Sequence, residues 1–427
     1  MTDAARSVQR TYLLLTLLTT LAQSFIWGIN TLFLLDAGLS NAGAFGANAF
    51  FTVGQVLFEV PTGVVADTTG RRRSFLLGTI TLLASTLLYL LMWEITAPFW
   101  GWALASVFLG LGFTFFSGAV EAWLVDALHA SDFQGDLDTV FGRGQTVLGI
   151  AMLVGSVAGG FIAQFTNLGV PYIIRAGVLG ITFVVAFVAM HDIGFQPRRG
   201  ERPLSEVRRV LRASVDSGFR RPAVRWLMLS TPFTFGVSFY TFYAMQPHLL
   251  DLYGDESAFG IAGLAASILA GAQIVGGLIV PAIRKVFSRR THALITFTAL
   301  GSLALLFLAL TRNIWLAIGL LIVWSIAFSA SRPMRLAYLN GCIPSEQRAT
   351  VISFDSLMGS AGGAVIQPGL GRVADVSSYG TSYGVAAGLQ ALAIPFLVLA
   401  RSRRAPGDPI GESGDGAAGQ TEILPVE

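Results

Sequence analysis

The chain has 427 residues, of which 53% are hydrophobic and only 12% are charged. A soluble protein carries about 25% charged residues, so this composition excludes an ordinary soluble domain architecture. The formal net charge is +3, and the basic residues lie in short segments between apolar runs, which indicates membrane anchoring rather than nucleic-acid binding. The single cysteine, Cys342, excludes an intramolecular disulfide.

Apolar runs of membrane-spanning length recur along the whole chain, since about 20 helical residues cross a hydrocarbon core about 30 Å thick. We predict twelve transmembrane helices, here called spans and numbered in chain order. The first six lie at about 12–35, 44–66, 74–93, 99–125, 141–165 and 171–190. The second six lie at about 223–247, 258–282, 292–311, 314–340, 349–371 and 383–400.

The sequence therefore predicts an all-α membrane protein with two six-helix bundles. The first bundle covers 1–190, a cytoplasmic linker covers 191–222, and the second bundle covers 223–401. The remaining segment, 402–427, is rich in glycine, proline and acidic residues, and we expect it to be a disordered cytoplasmic tail.

The placement of the basic residues orients the chain in the membrane. All but six of the 28 lysines and arginines lie in the N-terminal segment, in the loops that follow even-numbered spans, or in the tail. The six exceptions are Arg143, Arg175, Arg312, Arg332, Arg335 and Arg372. Because short basic loops stay in the cytoplasm, we expect a multi-pass plasma-membrane protein with both termini inside. The basic linker forms either an amphipathic helix around 204–215 on the inner membrane surface or a solvated connection.

The second and third spans are joined by a short charged loop, which reads EVPTGVVADTTGRRRS from Glu59 to Ser74. One carboxylate, Asp67, precedes a turn glycine, Gly70, and three arginines. A weaker copy of the basic end, RKVFSRRT at 284–291, follows the second span of the second half. The two halves are therefore predicted to be parallel structural repeats.

This loop resembles the motif between helices 2 and 3 of the major facilitator superfamily at Gly63, Asp67, Gly70, Arg71 and Arg72. The twelve spans, their division into two sixes and the basic linker extend the resemblance over nearly the whole chain. It implies two pseudo-symmetric bundles that rock about a central cavity. It also implies that Asp67 binds the N-terminus of the eleventh span and that Arg71 pairs with Asp126, latching the cytoplasmic side. Alternatively, the loop charges only fix the topology.

The resemblance is to the drug-efflux branch of the superfamily, but two features differ from its drug–proton antiporters. Those antiporters usually carry an arginine midway along the fourth span, where this chain has Ser106. They also carry Gly-Pro-x-x-Gly-Gly in the fifth span, where this chain reads GSVAGG. The glycines there, Gly155, Gly159 and Gly160, still permit close packing against the eighth span. The differences weaken the expectation of proton antiport and leave the expected fold unchanged.

Ionisable residues inside spans are costly and mark candidate functional positions. Six fall at similar depth toward the cytoplasm and are candidates for a gate or for proton coupling: Glu59, Glu121, Arg143, Arg332, Arg335 and Asp355. Repeat alignment predicts ion pairs between the halves, Glu121 with Arg332 or Arg335 and Arg143 with Asp355. Alternatively, each charge pairs within its own half or reaches the membrane interface. The candidates for the proton-coupling carboxylate are Glu121, Asp355 and Glu59, in that order.

In this superfamily the first, fourth, seventh and tenth spans line the cavity. Helical spacing places Gln23, Trp27 and Asn30 on one face of the first span. The same spacing places three further residues on one face of the seventh span: Phe239, Tyr243 and Gln246. Aromatic and amide groups suit an amphiphilic substrate, although membrane aromatic residues also commonly face lipid or pack between helices.

The leading functional hypothesis is a proton-driven secondary exporter of small amphiphilic compounds. The alternative is an importer or facilitator of a small anionic metabolite, which Arg332 and Arg335 would favour. A non-transporting receptor or scaffold is a third and weaker hypothesis. The sequence contains no phosphate-binding loop, nucleophile–base constellation or metal-ligand set, so we expect no enzyme activity, metal or cofactor. The expected partners are a small-molecule substrate, protons and the lipid bilayer, without nucleic acid, and the protein is expected to be a monomer.

Overall fold

The computed structural model describes residues 2–116, 118–195, 219–343 and 345–410. Within these ranges the regular secondary structure is helical. The helices of the first half are α1 (Asp3–Trp27), α2 (Asn30–Asp36), α3 (Asn41–Thr69), α4 (Arg71–Glu94), α5 (Phe99–Phe116), α6 (Ala119–Ala130), α7 (Leu137–Phe165) and α8 (Gly169–Ala189). Those of the second half are α9 (Pro222–Tyr253), α10 (Phe259–Leu278), α11 (Val280–Val286), α12 (Arg290–Leu310), α13 (Ile314–Cys342), α14 (Ser345–Val376), α15 (Tyr379–Ala391) and α16 (Ala393–Ser402).

Helices occupy all twelve predicted spans. Four spans consist of two helices each: α1 with α2, α5 with α6, α10 with α11, and α15 with α16. Nine helical segments of the described chain are long and apolar enough to cross a membrane, and α1 with α2, bent by 48°, form a tenth. The remaining two, α9 and α14, are 32 residues long but do not meet the same hydropathy criterion. The prediction of an all-α, multi-pass membrane bundle is confirmed.

Several helices begin at side chains that bind their free amide groups. Ser40 accepts a hydrogen bond from the amide of Gly43 at the start of α3, and Asn313 accepts from the amides of Trp315 and Leu316 at the start of α13. Such caps satisfy donors that a helix leaves unpaired at its first turn. The ends of these helices are therefore encoded locally.

Contacts divide the chain into two compact units. Unit 1 comprises Met1–Val207, Tyr240–Ala270 and Ala364–Tyr379. Unit 2 comprises Arg208–Phe239, Gly271–Gly363 and Gly380–Glu427. This division does not follow the predicted bundles of 1–190 and 223–401, because parts of α9, α10 and α14 pack against helices of the first half.

Unit 1 has an aromatic core around Phe33 of α2. The Phe33 ring stacks on Tyr172 with ring centroids 4.0 Å apart and contacts Trp93 and Trp102 at 5.5 and 5.9 Å. The core of unit 2 is aliphatic and includes Leu227, Met334 and Leu339, which come from α9 and α13. Large apolar side chains such as Leu57, Phe165 and Leu310 are exposed, as expected of surfaces that face lipid.

The start of the tail differs from its predicted disorder. Residues 405–410 pack on the start of α12, where Asp408 is only 2% exposed. The Asp408 carboxylate accepts from the amide of Thr291 at 2.9 Å, and the Arg290 guanidinium donates to the carbonyl oxygens of Gly407 and Pro409 at 2.9 and 2.8 Å. The N-terminus of α12 thus supplies donors for this segment. The rest of the tail, 411–427, and the linker over 196–218 lie outside the described residues.

Candidate functional site

A cavity of about 150 Å³ lies inside unit 1 and is lined by residues of α1, α2, α3, α5, α7, α8 and α9. Its aromatic lining includes Trp27, Phe51 and Phe113. Its polar lining consists of Gln23, Asn30, Asn48, Arg175 and Tyr243. An aromatic wall with a few convergent polar groups is the usual composition of a small-molecule site.

Four of the six side chains predicted to face a cavity line this one: Gln23, Trp27, Asn30 and Tyr243. Gln246 is instead fully buried, and its amide binds backbone groups. Phe239 belongs to unit 2. Helical periodicity therefore located the cavity face of α1 but did not separate lining residues from packing residues on α9.

A chain of hydrogen bonds orients the two asparagines of the cavity. The Tyr172 hydroxyl donates to Asn30 Oδ1 at 2.9 Å, and Asn30 Nδ2 donates to Asn48 Oδ1 at 2.8 Å. Asn30 Oδ1 and Asn48 Oδ1 are therefore both used as acceptors. The polar atom of Asn48 that is left over is Nδ2, which is a donor. Asn48 Nδ2 is buried and has no hydrogen-bond partner within the described part of the chain.

Arg175 of α8 is the buried cation of this cavity, and only 1% of its surface is exposed. Its Nε donates to Thr86 Oγ1 at 2.9 Å, and its Nη1 donates to the carbonyl oxygen of Ala22 at 3.4 Å. In the ranges that the structure covers, its Nη2 has no hydrogen-bond partner. No ion pair to Arg175 forms among those residues.

From the sequence, Arg175 was considered only for membrane orientation, and its place in the cavity was not predicted. The available signal was an arginine inside an apolar span with no acidic residue nearby in the sequence. Ser106, which stands where drug–proton antiporters usually carry an arginine, is buried with its hydroxyl 2.6 Å from the Tyr89 hydroxyl. The buried arginine of this cavity thus comes from the sixth span rather than the fourth.

Gln246 of α9 bridges the break between α1 and α2. Its Oε1 accepts from the amide of Thr31 at 2.9 Å, and its Nε2 donates to the carbonyl oxygen of Trp27 at 3.1 Å. In a continuous helix these two backbone groups would bind each other. A side chain inserted into the helical hydrogen-bond ladder is a known cause of a kink. The insertion accounts for the 48° bend and joins the first span to the seventh within unit 1.

Asp375 of α14 caps the N-terminus of α3. Its two carboxylate oxygens accept from the amides of Asn41 and Ala42 at 2.8 and 3.0 Å. The Tyr379 hydroxyl also donates to Asn41 Oδ1 at 2.5 Å. An anion is stabilised at a helix N-terminus by the free amides and the helix dipole. Because Asp67 lies in the last turn of the same helix, the Asp375 cap lies at the opposite end of α3 from the charged loop.

The charged loop is held by contacts within unit 1. Asp67 Oδ1 lies 2.6 Å from Arg71 Nη1, and Asp126 Oδ2 lies 4.0 Å from Arg71 Nε. Gly70 has a φ of +115°, a conformation that favours glycine. A Cβ at Gly70 would also overlap the carboxylate of Asp192, which accepts from the amide of Arg72 at 2.8 Å.

Other members of the predicted latch have different surroundings. Arg72 Nη2 donates to the carbonyl oxygen of Phe187 at 2.7 Å, so this guanidinium ties the loop to the end of α8. A Cβ at Gly63 would meet no described atom within 4 Å. The binding of Asp67 to the eleventh span remains a prediction.

Two of the six gate candidates form a buried ion pair in unit 2. Arg335 Nε donates to Asp355 Oδ2 at 2.8 Å, and Arg335 Nη2 lies 2.5 Å from Asp355 Oδ1. Asp355 also accepts from the Thr231 hydroxyl at 2.7 Å, and Arg335 donates to the Leu227 carbonyl oxygen at 2.9 Å. Asp355 therefore pairs with Arg335 of its own half, which was the alternative to pairing between the halves, and the predicted pair with Arg143 stays a prediction.

The remaining gate candidates have exposed side chains: Glu59, Glu121, Arg143 and Arg332. The guanidinium of Arg332 lies over the Phe235 ring at 5.9 Å from its centroid, within the same unit. Arg332 and Arg335 are three residues apart, but only Arg335 reaches Asp355. Across the described ranges, no group of histidine, cysteine and acidic side chains could hold a metal ion.

The predicted packing glycines of α7 lie against two different helices, α1 and α10. A Cβ at Gly155 would overlap Ser24 Oγ, and one at Gly159 would overlap the carbonyl oxygen of Phe25, so both pack against α1. A Cβ at Gly160 would lie 2.8 Å from the carbonyl oxygen of Phe259 in α10. Close packing of the fifth span against the eighth therefore rests on Gly160, and packing against the first span rests on Gly155 and Gly159.

Comparison with known proteins gives one family. The family model described as the Major Facilitator Superfamily matches residues 12–367 and 257–424. No curated protein sequence matches the chain.

Solved structures share the fold at low sequence identity. The nucleoside transporter NupG is 12% identical with a TM-score of 0.76, and the match covers 93% of this chain and 99% of that one. The POT family transporter PepTSo is 12% identical with a TM-score of 0.71 and coverages of 94% and 99%. A POT family transporter in complex with 5-aminolevulinic acid is also 12% identical, with a TM-score of 0.67 and coverages of 92% and 95%. At such identity the likeness concerns the fold alone.

Proposed function

Because the chain belongs to the Major Facilitator Superfamily, we propose that this membrane transporter carries small amphiphilic organic compounds by alternating access. The observation that carries the proposal is the cavity of unit 1, in which Trp27, Asn30 and Tyr243 face one space of about 150 Å³. A cavity of about 150 Å³ accommodates benzene, so this space suits a substrate group with one six-membered ring.

Alternating access requires that each end of the substrate pathway can close. The contacts of Gln246 and Asp375 join α9 and α14 to helices of the first half at one end of unit 1. Asp67, at the other end of α3, would make the corresponding contact in the opposite state. Both termini would lie in the cytoplasm of the cell, which puts the Asp375 cap outside.

We assign proton coupling to Asp355. It is the buried carboxylate among the candidates, and its charge is balanced by Arg335. Protonation of Asp355 would release Arg335 and change the packing of α9, α13 and α14, which meet at this ion pair. Coupling to the proton gradient would drive export of the substrate from the cell. The transporter would act as a monomer in the plasma membrane.

Uptake of a small anionic metabolite is the second candidate. The observation that favours it is Arg175, a buried guanidinium at the cavity whose Nη2 is unbound within the described ranges. The exposed Arg332 no longer supports this alternative, and Arg335 is neutralised by Asp355.

The test uses inverted membrane vesicles with an inside-acid pH gradient. Cationic dyes, neutral aromatic compounds and organic anions are added in turn, and dissipation of the gradient is measured. Proton-coupled export predicts dissipation by specific compounds. The loss of this response in Asp355→Asn, but not in the surface variant Arg312→Gln, would support the assignment.

The absence of gradient dissipation would also distinguish the candidates. If folded protein dissipates no gradient with any compound, yet whole cells accumulate an organic anion, uptake replaces export. If neither vesicles nor cells move any compound of the three classes, the proposed amphiphilic substrate class is wrong.

A further inference from the structure

We propose that Arg175 and Asn48 form the anion-binding end of the substrate cavity and that the substrate is a small carboxylate with a single ring. This inference rests on the proposed function, since it names the substrate class of the same cavity. It adds two residues to which neither the family motif nor helical spacing assigns a role.

The polar atoms left over in the cavity are all of one kind. Two buried lining atoms lack a partner within the described ranges, Arg175 Nη2 and Asn48 Nδ2, and both are hydrogen-bond donors. The Tyr172–Asn30–Asn48 chain fixes this outcome, because it uses the oxygens of both asparagines as acceptors. A ligand that satisfies the cavity must therefore bring acceptors. A carboxylate has two acceptor oxygens and no donor when ionised.

The charge of the cavity also favours an anionic ligand. Arg175 is buried and forms no ion pair with any residue that the structure describes. Its contacts to the Thr86 hydroxyl and the Ala22 carbonyl orient the guanidinium without neutralising it. A buried charge without a counter-ion is costly, and an anionic ligand would remove that cost. At Arg335, by contrast, the chain itself supplies a carboxylate, Asp355, that balances the charge of a buried guanidinium.

The size and the surface of the cavity favour a ligand with one ring. Apart from its donors, the cavity is lined by rings and aliphatic groups, including Trp27, Phe51 and Phe113. A volume of about 150 Å³ accommodates one six-membered ring, since an apolar cavity of this size binds benzene. A single-ring carboxylate thus matches the donors, the charge and the volume together.

The test compares benzoate with benzamide, which share a ring and differ in charge. The full-length protein is purified in detergent, and binding is followed by tryptophan fluorescence, because Trp27 lines the cavity. We expect benzoate to bind about tenfold to a hundredfold more tightly than benzamide, as for a hydrogen bond to a charged group. Arg175→Gln should remove this preference, whereas Arg312→Gln, which removes an exposed arginine, should retain it.

A second variant keeps the test valid if Arg175→Gln fails to fold. Asn48→Asp keeps the oxygen that accepts from Asn30 and replaces the free donor with a negative charge. It should abolish the benzoate preference while benzamide binding persists, which shows that the cavity is intact. Equal binding of the two compounds to the wild type, a preference that survives both variants, or no binding of either compound would overturn the inference.

The vesicle assay separates this inference from the proposed function. If neutral compounds are transported and benzoate is not preferred, the carboxylate inference fails and the transport proposal stands. If benzoate is preferred in binding but no compound of any class moves in vesicles or cells, the site assignment stands and the proposed function fails.

Discussion

At the scale of single residues, the Arg335–Asp355 pair combines a structural contribution with a proposed functional one. Both side chains are buried, and the pair is tied to the Thr231 hydroxyl and the Leu227 carbonyl of α9. Removal of one partner leaves the other charge buried and uncompensated. The same pair is our candidate for proton coupling, so stability and coupling must be measured apart.

We expect Asp355→Asn to lower the free energy of unfolding by about 3–5 kcal/mol, because it strands the Arg335 charge. Thermal unfolding in detergent measures this. The double variant Arg335→Gln with Asp355→Asn should recover most of the stability, since no charge remains. It should still fail to accumulate substrate against a gradient while it retains downhill exchange. Uphill transport by the double variant would exclude Asp355 as the coupling carboxylate.

Gly159 contributes to stability because it has no side chain, which lets α7 approach α1 closely. A Cβ there would overlap the carbonyl oxygen of Phe25, and backbone cannot move aside as a flexible side chain can. Gly159→Ala should therefore destabilise the protein by about 1–3 kcal/mol, the usual cost of overpacking. Gly142→Ala in the same helix is the matched control, because a Cβ there meets no described atom within 4 Å. The control should raise stability by about 1 kcal/mol through helix propensity. Equal effects of the two substitutions on the melting temperature would contradict the packing argument.

At the scale of elements, the kink between α1 and α2 depends on a side chain from another helix. Gln246 takes both backbone groups that a continuous helix would pair, the Thr31 amide and the Trp27 carbonyl. Withdrawal of Gln246 would let these two backbone groups bind each other and would straighten the first span. A change in the bend of the first span is therefore a conformational change that a transporter could use.

We expect Gln246→Leu to increase hydrogen exchange of the amides in α2, because Thr31 loses its acceptor and α2 loses its tie to α9. Hydrogen–deuterium exchange of the peptide that covers 28–36 measures this change. Gln23→Leu is the control. Gln23 is also a glutamine whose side chain lines the cavity, but it does not bridge the break between α1 and α2. Unchanged exchange in Gln246→Leu would show that the kink is intrinsic to the Gly28–Ile29 segment.

At the scale of the whole molecule, two aspartates lie at opposite ends of one helix. Asp375 caps the N-terminus of α3, and Asp67 lies near its C-terminus in the charged loop. The superfamily resemblance implies that Asp67 reaches the start of the eleventh span, whose helix, α14, carries Asp375. The two spans would then exchange caps at opposite ends during the transport cycle.

This exchange predicts opposite effects of two substitutions. Asp375→Asn should favour the state that is open outside, and Asp67→Asn should favour the state that is open inside. A charge at a helix N-terminus is worth about 0.3–2 kcal/mol, so the population ratio should change by about two- to thirtyfold. Spin labels on Trp100→Cys and Val376→Cys, in a Cys342→Ser background, report the distance across the end of unit 1 that carries Asp375. A change in the same direction for both variants would contradict the exchange of caps.

The spans, their number and the superfamily could be predicted from the sequence, because each depends on a local property. The length of an apolar run is set by the thickness of the bilayer, and the loop at 59–74 carries its spacing in consecutive residues. Helical spacing also placed Gln23, Trp27 and Asn30 on one face, since periodicity within one helix is a local matter. These features do not require any knowledge of how helices pack.

Only the tertiary structure decided which groups meet. Arg335 pairs with Asp355 of its own half, Gln246 enters the break of the first span, and Arg175 and Asn48 line the same cavity. Each contact joins separate helices, and its existence depends on how each helix is rotated and how closely its neighbours approach. A hydropathy pattern shows that a span is buried in the membrane but does not show which neighbour its polar groups face. The sequence by itself therefore determined the membrane fold and the transport class, while the packing of the helices decided the chemistry of the cavity.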